Sequence, residues 1–183
     1  MRLVPTELPE VVEIVEEPHE DERGAFVRLW DADVLAAAGI AHRCAQLSLS
    51  RNRRAGTLRG LHYAAPPHAE TKLVRCVRGA VHDVAVDLRP SSPRYGRHVA
   101  RRLDARTGNG LLIPAGFAHG FQTLEDETDV LYAIDLPYVP AAARAVRYDD
   151  PALAIAWPLA VGIVSARDAS APLLAARASR EPT

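Results

Sequence analysis

The chain has 183 residues, 48% of them hydrophobic and 25% charged, with a formal net charge of −1. That length and apolar share predict one compact domain whose core needs neither a metal nor a disulfide to hold it. The near-zero charge gives no domain-wide field to draw the chain to nucleic acid or to an anionic membrane, so neither is expected as a partner. No apolar stretch approaches the length of a membrane helix, and no basic N-terminal region leads into an apolar run with a small-residue cleavage site, so a cytoplasmic location is expected. Cys44 and Cys76 lie outside any CxxC pairing and read as two buried thiols rather than a disulfide or a zinc site.

In chain order, the first clear element is a short helix: Asp31 can cap it, Val34, Leu35 and Ala38 make its apolar stripe, and Gly39 ends it. It is expected to lie on a sheet edge. Strands are predicted over 45–50, 57–63, 72–77, 80–88, 111–113, 120–124 and 130–136, separated by turns such as Arg89-Pro90-Ser91-Ser92-Pro93 and Pro114-Ala115-Gly116. Many short strands between turns indicate an all-β sandwich or jelly roll. Arg78-Gly79 reads as a two-residue hairpin turn, since glycine tolerates the positive φ such turns demand. Beyond it, one parity puts His82, Val84, Val86 and Leu88 on one face and the other puts Val81, Asp83, Ala85 and Asp87 there, and periodicity does not choose. Arg51, Arg53 and Arg54, like Arg97, Arg101, Arg102 and Arg106, read as solvated loop charge, and the tail from about residue 176 reads as frayed.

Histidine titrates near neutral pH and is the commonest general base and metal ligand, so the seven in this chain are the natural starting point for chemistry. His19, His42, His68 and His98 lie in polar or proline-rich stretches and read as surface residues. His62 ends an apolar strand just after Arg59 and Gly60. His119 stands in Pro114-Ala115-Gly116-Phe117-Ala118-His119, the PxGxxH half of the cupin metal motif. The other half needs an HxH pair with a downstream glutamate. This chain has no HxH, so no metal is expected. What remains is an acid-base kit: imidazole from His62, ammonium from Lys72, phenol from Tyr132, and carboxylates such as Asp83 and Asp168, each of which alone could equally be structural.

Taken together and in order, these segments resemble the dTDP-4-dehydrorhamnose 3,5-epimerase family, a metal-free branch of the cupin jelly rolls, from about Arg23 to Asp168. The resemblance is carried by Asp21-Glu22-Arg23-Gly24-Ala25-Phe26, Thr57-Leu58-Arg59-Gly60-Leu61-His62-Tyr63, Lys72-Leu73-Val74-Arg75, Asp83 through Arg89, Ile113 through Phe121, Leu131-Tyr132, Tyr138, Asp150 through Pro158, and Ser165-Ala166-Arg167-Asp168. It implies an all-β, cupin-like jelly roll with a few short helices, no cofactor, and epimerisation of carbons 3 and 5 of a nucleotide-diphosphate 4-keto-6-deoxy sugar. It further implies His62 as the base, oriented by Asp168, with Tyr132 as the acid from the opposite face and Lys72 meeting the enolate. Asp83 and His119 would shape the sugar and phosphate pocket, Arg23 and Arg59 would hold the diphosphate, and Tyr138 would stack on the base. Gln46, Ser48, Arg28 and Arg167 fall at the family's remaining substrate contacts. A homodimer is implied as well, with Arg23 reaching the neighbouring pocket on an exchanged N-terminal strand.

The chain departs from the family pattern among those contacts rather than among the proton-transfer residues. Arg28 and Ala143 stand where glutamate is usual, Ser48 where asparagine is, and Glu70 where glutamine is common. A guanidinium in place of a carboxylate at Arg28 reverses the local charge. The expected reaction is dTDP-4-dehydro-6-deoxy-D-glucose to dTDP-4-dehydro-L-rhamnose, with inversion of a single centre, C3 or C5, on a GDP- or CDP-linked keto sugar as the alternative. Two readings of other classes stand beside the epimerase: a sugar-nucleotide binding module without turnover, and a metal-dependent cupin enzyme.

Overall fold

The computed structural model describes residues 1–174; the tail expected to fray lies outside the described residues. In chain order the strands are β1 (Arg2–Pro5), β2 (Val12–Val15), β3 (His19–Asp21), β4 (Gly24–Phe26), β5 (Gln46–Asn52), β6 (Thr57–Ala64), β7 (Lys72–Arg78), β8 (Ala80–Asp87), β9 (His98–Asp104), β10 (Gly110–Ile113), β11 (Phe117–Thr123), β12 (Thr128–Ile134), β13 (Ala143–Ala145) and β14 (Ile163–Val164). Two short helices accompany them, α1 (Ala32–Ala37) and α2 (Ala166–Ala169). One six-stranded sheet runs β1-β2-β10-β7-β12-β5; the other runs β13-β6-β11-β8-β9 with β14 beside β6. This non-sequential order is that of an all-β jelly roll. The β3–β4 hairpin pairs only with itself. No helix among the described residues is long and apolar enough to cross a membrane.

The core forms where the inward faces of the two sheets meet: Val74, Cys76 and Val130 from one side, Val81, Ala85, Phe117 and Phe121 from the other. Arg78-Gly79 is not the hairpin turn expected, since β7 and β8 belong to different sheets and the turn carries the chain from one to the other; the parity left open beyond it is settled. Val81, Asp83, Ala85 and Asp87 point inward, while Val84, Val86 and Leu88 are covered on the outside by Val146 and Leu153 of the C-terminal segment. Both faces of β8 are buried, so its sequence carries no apolar–polar alternation to read.

Asp31 caps α1 as expected, its carboxylate accepting from the Asp33 and Val34 amides. The helix does not lie on an edge. Leu35 packs over the middle of the first sheet, against Ile14, Leu73, Leu112 and Ala133, because those four positions are the outward apolar residues of interior strands. His42 is corrected from surface to core: it is 7% exposed, accepts from the Trp30 indole at 3.0 Å and donates to the Ala133 carbonyl at 3.3 Å. Of the cysteines only Cys76 is buried, and burial pushes its thiol up to about 11; Cys44 is exposed.

The short strands β1–β4, β13 and β14 carried too few residues to show a period. Strand β9 was hidden by its arginines, which read as loop charge. In the structure Arg101 pairs with Glu7 and Glu13, and Arg102 and Arg106 share Asp104. Those ion pairs let a strand carry so much positive charge.

Candidate active site

Strand β6 brings His62 to the mouth of the barrel, and its partner across the β6–β11 ladder is His119. Tyr132 comes from β12 of the opposing sheet, where it pairs with Ser48 on β5, and Lys72 opens β7 opposite Ile134. These six residues line one open cavity of about 290 Å³ together with Glu70, Tyr138, Arg144 and Arg167. The volume is at the small end of the range usual for ligand sites.

Helix α2 supplies the carboxylate behind His62. Ser165 caps the helix and accepts from the Asp168 amide. Asp168, 4% exposed, then accepts from His62 Nε2 at 2.7 Å through Oδ1 and from the Gly60 amide at 3.2 Å through Oδ2. With the proton on Nε2, the neutral ring keeps its lone pair on Nδ1, the arrangement of an oriented general base. Burial holds this imidazole below its ordinary value; the Asp168 carboxylate pulls it up, and Lys72 and His119 push it down again.

A second His–Asp pair lies deeper. His119 donates to both Asp83 oxygens at 2.7 and 2.6 Å, and both side chains are almost wholly buried. The Tyr132 ring packs edge-on against His119 with centroids 5.7 Å apart. Burial holds the Tyr132 phenol well above its usual value, the nearby Asp83 charge adds to that, and Arg59 opposes it. Tyr132 therefore stays protonated, a donor, across the physiological range. Lys72, only 8% exposed, donates to the His62 carbonyl at 3.4 Å and forms an ion pair with Glu70 at 3.2 Å.

The remaining candidates divide by place. Ser48, Tyr138 and Arg167 line the cavity; Gln46 acts at one remove, its side-chain oxygen accepting from the Tyr138 amide at 2.8 Å. Arg59 lies in an adjoining recess with His62, Arg167 and Asp168, its Nε held by Asn52 at 2.8 Å. Arg23 and Arg28 do not reach the cavity of their own chain. Arg23 sits on the β3–β4 hairpin, 85% exposed and paired with Asp21, and Arg28 pairs with Asp31 at the start of α1. Glu70 and Arg144 were not chosen as site residues from sequence. Glu70 precedes β7 and lies outside any strand, so periodicity carries no signal for it; the departure from the family's usual glutamine is the signal that points to it. Among the described residues no group of three or more histidine, cysteine or acidic side chains could hold a metal ion.

Gly60 is the tightest backbone position in the site. Its φ is +130°, and a Cβ there would lie 2.5 Å from Gly120 Cα and 2.9 Å from the His119 carbonyl. Gly60→Ala is expected to cost about 2–4 kcal/mol from overpacking and left-handed strain. Chemical denaturation would show it as a lowered midpoint, and a midpoint matching the parent would refute the close approach.

Compared with known proteins, residues 5–176 match the family model described as dTDP-4-dehydrorhamnose 3,5-epimerase. A dTDP-4-dehydrorhamnose 3,5-epimerase of Sinorhizobium fredii is 42% identical over 159 residues, 84% of this chain and 80% of that protein. A dTDP-4-dehydrorhamnose 3-epimerase of Streptomyces niveus is 42% identical over 176 residues, 96% of this chain and 84% of that protein. The crystal structure of the Legionella pneumophila 3,5-epimerase in complex with dTDP-4-keto-L-rhamnose superposes with a TM-score of 0.90 at 38% identity, covering 95% of this chain and 93% of that one. With matches this long and this similar, set on a cavity of the expected acid-base make-up, the chain belongs to the dTDP-4-dehydrorhamnose 3,5-epimerase family.

Proposed function

We propose that the chain, as a single epimerase domain, inverts carbons 3 and 5 of a nucleotide-diphosphate 4-keto-6-deoxy sugar, converting dTDP-4-dehydro-6-deoxy-D-glucose to dTDP-4-dehydro-L-rhamnose. The observation that carries this reading is the placement of the His62–Asp168 pair and Tyr132 on opposing sheets around one cavity, with the Lys72 ammonium on the same cavity, 3.4 Å from the His62 carbonyl. Hydrogens beside a ketone are acidic. Neutral His62 removes one to leave an enolate, and Lys72 meets the charge on its oxygen. The Tyr132 phenol then returns a proton to the other face, and inversion follows. These steps draw on side chains alone, with no cofactor and no metal. Arg59, Arg144 and Arg167 suit the diphosphate because a guanidinium fork grips oxyanions with paired hydrogen bonds. His119 and Asp83 hold the pocket wall, and Tyr138, 58% exposed at the rim, offers a ring for the base to stack on.

The exposed β3–β4 hairpin supports an exchanged arrangement in a homodimer, in which Arg23 reaches the partner's diphosphate and Arg28 approaches its nucleotide. Two free cysteines fit a reducing, cytoplasmic setting. A second reading is favoured by the Streptomyces niveus relative, named as a 3-epimerase: inversion at carbon 3 alone. Proton NMR in D₂O with dTDP-, GDP- and CDP-linked 4-keto-6-deoxy sugars decides among these. Deuterium entering carbons 3 and 5 of the dTDP sugar is the expected result, entry at carbon 3 alone selects the second reading, and binding without exchange would overturn both.

The pH profile offers a separate check. His62 works only when neutral, and burial lowers its titration, so kcat/KM is expected to rise through a pH below the ordinary imidazole value, and ionisation of Tyr132 is not expected to cut it at the ordinary tyrosine value. Asp168 pulls His62 upward, so Asp168→Asn should move the acid limb to still lower pH while reducing the plateau. An acid limb that moved up instead would contradict the pairing.

A further inference from the structure

We infer that Glu70 is a specificity-determining residue that reads the free hydroxyl on the carbon beside the sugar ketone. This rests on the epimerase reading above. Glu70 lies two positions before Lys72, and both side chains open on the same cavity while being only 13% and 10% exposed. The carboxylate is 3.2 Å from the ammonium, which also donates to the His62 carbonyl at 3.4 Å. An ammonium has three hydrogens, so one is left for the cavity; a carboxylate has about four lone-pair positions, more than one ammonium fills.

The wall of the cavity thus presents a donor and an acceptor side by side. An α-hydroxy ketone presents their complement: a carbonyl oxygen that only accepts and, on the next carbon, a hydroxyl that donates. With Lys72 on the ketone oxygen, the neighbouring Glu70 faces the hydroxyl at carbon 3. The opposite orientation is closed, because a diphosphate would bring its negative charge against the carboxylate, whereas Arg144 on β13 and Arg167 on α2 line the cavity from the side of the opposing sheet. A mostly buried carboxylate without its hydroxyl partner is costly, and such sites discriminate strongly against analogues that lack the group.

The test compares the dTDP-linked 4-keto-6-deoxy sugar with its 3-deoxy analogue, reading kcat/KM for deuterium incorporation at the ring carbon the parent enzyme exchanges. The parent enzyme should prefer the hydroxylated sugar by about 10- to 100-fold. Glu70→Ala should narrow that preference to within about threefold by losing activity on the hydroxylated sugar alone. Glu70→Gln keeps the shape and one acceptor, and should fall between the two. If either variant loses activity equally on both sugars and the preference stands, Glu70 only positions Lys72 and the assignment is overturned. A parent enzyme that binds but exchanges neither sugar would overturn the epimerase reading, and this assignment with it.

Discussion

Replacing His62 with alanine is expected to lower the rate of proton exchange by about 10² to 10⁴, the usual worth of a positioned proton-transfer group, while leaving nucleotide binding in place. The two effects separate because His62 is half exposed at the cavity and contributes little to the core, whereas Arg144, Arg167 and Tyr138, which suit the nucleotide, stand on other elements. Asp168 would lose one partner but keep the Gly60 amide at 3.2 Å, so α2 should stay docked. Deuterium incorporation beside titration calorimetry with dTDP decides the matter: exchange at the parent rate in His62→Ala would remove the residue from its role, and loss of binding together with exchange would point to misfolding instead.

Tyr132→Phe should show the second large effect, and of a different kind. The ring keeps its edge-on contact with His119 and its place against the core, so only the phenol is lost. Without an acid on the far face, formation of the inverted product should fall by about 10² to 10⁴. His62 remains able to remove a proton and return deuterium to the same face. Slow isotope uptake with configuration retained is therefore expected by NMR. Inversion at the parent rate would exclude Tyr132 as the acid.

Much of this architecture was legible in the sequence, for physical reasons that can be named. The strands from β5 to β8 and β12 are seven or eight residues long and bounded by turns, so their length and punctuation survive in the chain even where, as in β8, the period does not. Strand β11 was predicted three residues late because Pro114 and Gly116 read as a turn extending to His119, whereas the ladder to β8 already begins at Phe117 and Asp87. His42 was misplaced because its neighbours are polar; its burial comes from Trp30 and Ala133, partners that local sequence does not reveal.

The site was legible only as an ordered set. His62 and Asp168 are 106 positions apart, and nothing local to Asp168 distinguishes it from a helix-capping carboxylate. The Glu70–Lys72 pair shows the complementary case. Its two residues are near neighbours in sequence, but their significance appears only when both are seen to share one cavity with His62 and Tyr132.

The groups proposed for proton transfer sit on strands with neighbours on both sides: β6 beside β11, β7 between β10 and β12, β12 between β7 and β5. The rim is built differently, from the loop bearing Tyr138, the three-residue β13 bearing Arg144 and the four-residue α2 bearing Arg167. Substitutions in such peripheral segments cost little stability, whereas those in the ladders cost much. Nucleotide preference can therefore drift along a lineage, or be redirected by an engineer, one rim residue at a time, while the proton-transfer groups are inherited with the sheets and only Asp168, on α2, ties the rim to them.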